Sequence, residues 1–125
     1  MKFTTYLRDG APRLALVDGN DLIDLNDANA QVAPDLRTAL RAGVDLQFAA
    51  RQAVESGARQ PLAAAVLAPL VPEPGKIVCL GLNYYDHAKE GGREKPDYPW
   101  FFFRAPSSLV GHGQARWLAK VSARF

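Results

Sequence analysis

One cysteine, no long apolar run and almost no net charge set the first limits on this 125-residue chain. Cys79 has no partner for an internal disulfide, which fits a reducing cytoplasm. Lying inside the apolar "IVCL", it reads as an inert core thiol. No stretch approaches the roughly 20 apolar residues that span a bilayer. The start "MKFTTYLRDG" has no apolar segment of the kind a secretory leader carries. Fifteen Lys and Arg are interleaved with thirteen Asp and Glu for a net charge of +2, with no basic stripe. Neither a membrane nor a nucleic-acid backbone is therefore an expected partner. The length suits one domain, or one domain and a piece of another.

What is present begins as a small β-rich unit. "KFTTYL" and "RLALV" are short strand candidates divided by "RDGAP", whose Asp9-Gly10 is a hairpin signal. "DGND" makes a second turn before "LIDL". A helix is predicted after Pro34, with Asp35 near its start and Gly43 at its end. "DLQFAARQAVES" predicts a second, with Leu46, Phe48, Ala49, Ala53 and Val54 as its apolar stripe and Gly57 following. Residues 58–75 contain four of the nine prolines and read as an extended linker. "KIVCLGL" is apolar on both alternations, as in a strand covered on both faces. "WFFF" is another strand candidate, and residues 117–125 alternate apolar and polar like a half-buried strand. These three strands want neighbours, so the expectation is an α+β chain with a domain over 1–72 and an incomplete one over 73–125.

The chemistry concentrates in "GLNYYDHAKEGG" and "PDYPWFFFRAPSSLVGHGQ". His87 and Glu90 are three apart and share a face if the segment is helical. A carboxylate beside an imidazole orients the ring and stabilises the imidazolium formed when the ring takes a proton, which makes a general base. A solvated helical turn explains the same spacing. Asn83 is placed to cap that helix, and Gly91-Gly92 would end it and serve as the hinge of a lid. Arg104 suits a bidentate clamp on a substrate carboxylate, or a surface ion pair. The glycines around His112 favour a tight turn over a catalytic role.

Read together, "KIVCLGLNYYDHAKEGG", "YPWFFFRAPSSLVGHGQ" and "KVSARF" resemble the fumarylacetoacetate hydrolase family over residues 74–125. The resemblance implies a mixed β-roll core, a homodimer and a divalent ion, Mg²⁺ or Mn²⁺, that holds the oxygens of a small oxo acid. It implies C–C bond hydrolysis, or isomerisation or decarboxylation of related substrates. His87 would be the base that activates water and Glu90 its orienting partner. Arg104, Ser107 and Ser108 would contact substrate, although many members carry lysine where Arg104 stands. In the family the motif matching "KVSARF" runs into an acidic segment that supplies metal ligands. Only Glu94 and Asp97 are acidic in residues 93–125, so no intact metal site is expected in this chain alone. The competing reading is a truncated, non-catalytic paralogue that uses its final strand as an interaction edge.

Overall fold

The computed structural model describes residues 1–94 and 96–115. They form two compact units of an α+β fold, one comprising Met1–Pro72 with residues 109–115, the other Glu73–Ser108. The strand predicted over residues 117–125 lies outside the described residues.

In the first unit β1 (Lys2–Arg8) and β2 (Ala11–Asp18) pair antiparallel from Lys2↔Val17 to Arg8↔Ala11. Their two-residue loop, Asp9-Gly10, has φ of 55° and 78°. Positive φ at both central positions matches the right-handed twist of the strands, which is why Asp-Gly closes hairpins of this kind. β3 (Asp21–Asp24) continues the meander against β2. β4 (Arg59–Pro61) pairs with β3, and β5 (Val66–Ala68) with β1. Among the described residues the sheet order is therefore β4-β3-β2-β1-β5, antiparallel throughout.

That order corrects the linker reading for residues 59–68, while residues 69–75, with Pro69, Pro72 and Pro74, have no regular structure. The proline-rich segment supplies both edge strands and, between them, the turn Leu62–Ala64. Pro61 is tolerated because it ends β4, an edge strand that needs ladder hydrogen bonds on one side only. Leu62, Ala65 and Leu67 of this segment pack on Tyr6, Ala15 and Leu22, closing one face of the sheet.

The other face carries the larger core. Strand alternation turns Leu14, Leu16 and Ile23 towards α1 (Leu25–Ala28), α2 (Leu36–Arg41) and α3 (Leu46–Ser56). Asp35 caps α2 by accepting from the Thr38 amide at 2.9 Å, and Asp45 caps α3 by accepting from the amides of Gln47 and Phe48. The buried stripe of α3 is Ala49, Ala50 and Ala53, with Leu46 packed beside it. That is i, i+3, i+4, i+7 spacing, whereas Phe48 and Val54, expected inside, are 52% and 45% exposed. Alanines let the helix approach the sheet closely. Gly57 extends the close approach, since a Cβ there would lie 2.5 Å from both the Ala53 carbonyl oxygen and Ile23 Cγ2.

One charged cluster is built into this unit. Asp24, 3% exposed, ends β3 and caps α1 by accepting from the amides of Asn26 (2.7 Å) and Asp27 (3.1 Å). Its carboxylate also accepts from Tyr6 Oη (2.6 Å), Arg13 Nε (2.9 Å) and Arg8 Nη1 (3.2 Å). Burial pushes the Asp24 carboxyl upward, but the bonds from Arg13, Tyr6 and the Asp27 amide outweigh it and hold it below the usual carboxylate range. The Tyr6 hydroxyl is raised, first by burial and then by its bond to Asp24.

The second unit is a two-stranded ribbon and a helix. β6 (Ile77–Gly81) and β7 (Trp100–Arg104) pair antiparallel, from Ile77↔Arg104 to Gly81↔Trp100. "KIVCLGL" was expected to be covered on both faces, yet Val78 and Leu80 are exposed and Cys79 is only half-buried. All five residues of β7 are exposed as well. Among the described residues, no helix is long and apolar enough to cross a membrane.

Candidate functional site

The stretch "GLNYYDHAKEGG" is a strand end, a strained corner and one short helix. β6 stops at Gly81, and Leu82 follows with φ 41°. A bulky residue at positive φ is an outlier that surrounding structure must hold in place. α4 (Tyr85–Glu90) starts from Tyr84, whose side chain makes no capping bond. Asn83, expected as the cap, lies one residue too early for that role. Asp86 in the first turn suits the positive end of the helix dipole.

The helix ends in a closed C-terminal motif. Arg93 N–H donates to the Ala88 carbonyl at 2.9 Å, and Gly92 N–H to the Lys89 carbonyl at 3.0 Å. Gly92 has φ 61°, the left-handed conformation this motif needs and the reason a glycine stands there. The double glycine thus terminates α4 as expected.

His87 and Glu90 both lie on α4, three residues apart and exposed, while Ala88 is buried on the opposite side. Among the described residues no hydrogen bond or ion pair joins the two side chains. On the Ala88 side of the helix lies a cleft of about 370 Å³ lined by Leu80, Leu82, Tyr84, Tyr85, Ala88 and Tyr98 among others; His87 and Glu90 do not line it. Its size falls at the lower end of small-molecule sites. Its walls are aromatic and apolar, with Asn83 and Asp97 as polar points. Nothing in the sequence pattern singled out Tyr98, and Asp97 was weighed only as a metal ligand; both reach the cleft because the chain returns from α4 to β7.

Arg104, Ser107 and Ser108 stand elsewhere. Arg104 is exposed and faces Ile77 across the ribbon, whereas α4 leaves from the Gly81–Trp100 end. Four residues of strand separate those ends, about 13 Å. The serines follow in the single turn Pro106–Ser108, also exposed. His112 lies in the turn expected from its flanking glycines, with Gly113 at φ 76°. Among the described residues no group of three or more His, Cys, Asp and Glu is arranged to hold a metal ion.

Known proteins place this geometry in context. Residues 76–123 match the model of the fumarylacetoacetate hydrolase C-terminal domain. An oxaloacetate tautomerase, the mitochondrial fahd2 protein of Xenopus laevis, is 34% identical over 102 residues, covering 78% of this chain and 31% of that protein. The chain therefore spans under a third of that relative's length. The crystal structure of an HpcE protein from Mycobacterium smegmatis superposes with a TM-score of 0.67 at 28% identity, covering 95% of this chain and 41% of that one. The fumarylacetoacetate hydrolase of Exiguobacterium antarcticum does so with a TM-score of 0.60 at 25% identity, covering 88% and 37%.

Proposed function

This chain belongs to the fumarylacetoacetate hydrolase family, and from that premise we propose that it is part of an enzyme acting on small oxo acids, with His87 as its base. The reaction is tautomerisation of a keto acid or hydrolysis of a C–C bond beside its carbonyl. Both need one group that takes a proton at neutral pH and returns it. An imidazole does so with little perturbation. In tautomerisation His87 would remove a proton from the carbon next to the keto group and return one on the enol side. In hydrolysis it would take the proton of the attacking water. Glu90 would orient the ring and stabilise the imidazolium once the pair closes over substrate.

The observation that carries the reading is α4 itself: it puts His87 and Glu90 three residues apart on one exposed face of a helix that ends in a double glycine. The unbonded pair is compatible with this role, because catalytic hydrogen bonds often tighten only when substrate is present. Arg104, Ser107 and Ser108 are proposed substrate contacts, with Arg104 taking a carboxylate. Dependence of the whole protein on Mg²⁺ or Mn²⁺, as the family resemblance implies, is part of the proposal; the described residues do not compose that site, and no step above is routed through it. A cytoplasmic homodimer completes the reading.

The test uses the protein carrying this chain, with Mg²⁺ or Mn²⁺ added. Ketonisation of enol-oxaloacetate and cleavage of an acylpyruvate are followed by loss of enol absorbance. His87→Ala should lower kcat by about 10²- to 10⁴-fold, the usual worth of a positioned acid–base group. Turnover unchanged by that substitution, or no turnover of either substrate by the unmodified protein, overturns the proposal.

A further inference from the structure

The chain leaves the first unit after Pro72 and rejoins it at Leu109. Among the described residues the rejoining segment does not pair as a strand, yet it lies flush on the outer edge of β5. Gly111 is buried, and a Cβ on it would overlap the Leu67 carbonyl group. Only a glycine backbone fits against the edge there. The chain then reverses within four residues: Gln114 N–H donates to the Gly111 carbonyl at 3.2 Å, with Gly113 in the left-handed region.

The Gln114 side chain closes the arrangement. Its Nε2 donates to the Leu67 carbonyl at 2.8 Å, and its Oε1 accepts from the Gly111 amide at 3.3 Å. The amide has to sit this way round, since the reverse would set NH₂ against N–H and oxygen against carbonyl. We propose that Gln114 is a clasp: its primary amide acts as a surrogate peptide group on the β5 edge and fastens residues 111–114 there as a strap.

An edge strand presents unpaired carbonyls and amides that invite another chain. β5 is held from its inner side by pairing with β1 and by Thr5 Oγ1, which donates to the Leu70 carbonyl at 2.8 Å. Among the described residues its outward Leu67 carbonyl is satisfied from the other side by one side chain, that of Gln114. A side-chain clasp has few bonds to break, so the strap opens without disturbing the ladder beneath it. The cavity of about 550 Å³ between Leu62, Ala65, Val66, His112 and Gln114 leaves room for that movement. This proposal stands independently of any catalytic role for His87.

Amide hydrogen exchange of the 125-residue chain tests it, read by NMR at Gly111 with the amides of β1 and β2 as the folding control. Gln114→Ala should speed Gly111 exchange by about 5- to 30-fold, the factor expected for losing one or two net hydrogen bonds. Gln114→Glu, which keeps length and removes the donor, should do the same at neutral pH. Gly111→Ala should collapse the Gln114 side-chain amide signals towards their free positions. Equal Gly111 exchange in the parent and both Gln114 variants, with β1 and β2 still protected, overturns the clasp. So do unmoved Gln114 side-chain signals in Gly111→Ala.

Discussion

At the scale of single residues, Asp24 carries the most weight in the first unit. It accepts from Tyr6, Arg8 and Arg13 and from two helix amides while almost fully buried. Removing one side of a buried, bonded charge set leaves the rest uncompensated. Asp24→Ala should therefore destabilise the chain by about 3–5 kcal/mol, measured by urea unfolding. The pH dependence follows from its lowered pKa. The folded carboxyl titrates below its ordinary 3.8, so its contribution is complete above that value. It is lost as pH falls through the folded pKa, and Asp24→Asn should flatten that acid limb. Tyr6 acts in the opposite direction, because its folded pKa is raised above 10.0. Its contribution is complete below pH 10 and lost as the pH rises through the folded pKa. Asp24 itself was hard to see in the sequence: inside "LIDL" it reads as one polar residue in a strand, and its side-chain partners are 11 to 18 positions away.

At the scale of elements, α3 shows where periodicity alone goes astray. The sequence pattern admits Phe48 and Val54 to the stripe because both are apolar, but the face in contact with the sheet is the narrower Leu46–Ala49–Ala50–Ala53 set. Phe48→Ser should shift stability by less than about 0.5 kcal/mol, as for an ordinary surface site. Gly57→Ala should destabilise by about 1–3 kcal/mol, because the new methyl meets a carbonyl and Ile23 with no room to yield. Thermal melts of the two variants distinguish the faces. The hairpin and the helix caps were legible because Asp-Gly, Asp35 and Asp45 act locally. Residues 59–68 were not, because an extended, proline-flanked chain does not say whether it is a tether or a sheet edge.

At the scale of the whole molecule, the second unit is thin. An isolated two-stranded ribbon is marginal in water, and this one leaves Val78, Phe101 and Phe103 at 55%, 63% and 71% exposure. The paired substitution Phe101→Ser and Phe103→Ser should lower binding of a hydrophobic dye such as ANS and reduce self-association in sedimentation velocity. Unchanged dye binding would mean that the aromatic surface is covered in solution. The candidate site divides in the same way. That His87 and Glu90 share one helical face was readable from their spacing, since an i, i+3 relation is set by helix geometry whatever surrounds it. The β1–β2 hairpin, the Asp35 and Asp45 caps and the end of α4 at its double glycine were likewise determined by residues a few positions apart. The tertiary structure alone decided which apolar residues of α3 are buried, and that a proline-rich stretch frames a sheet. It alone set Arg104 at the far end of the ribbon from the start of α4, and brought Tyr98 and Asp97 to the cleft. The reason is physical: local rules act through neighbouring backbone and side chains, whereas burial and pairing depend on parts of the chain that meet only after it has folded.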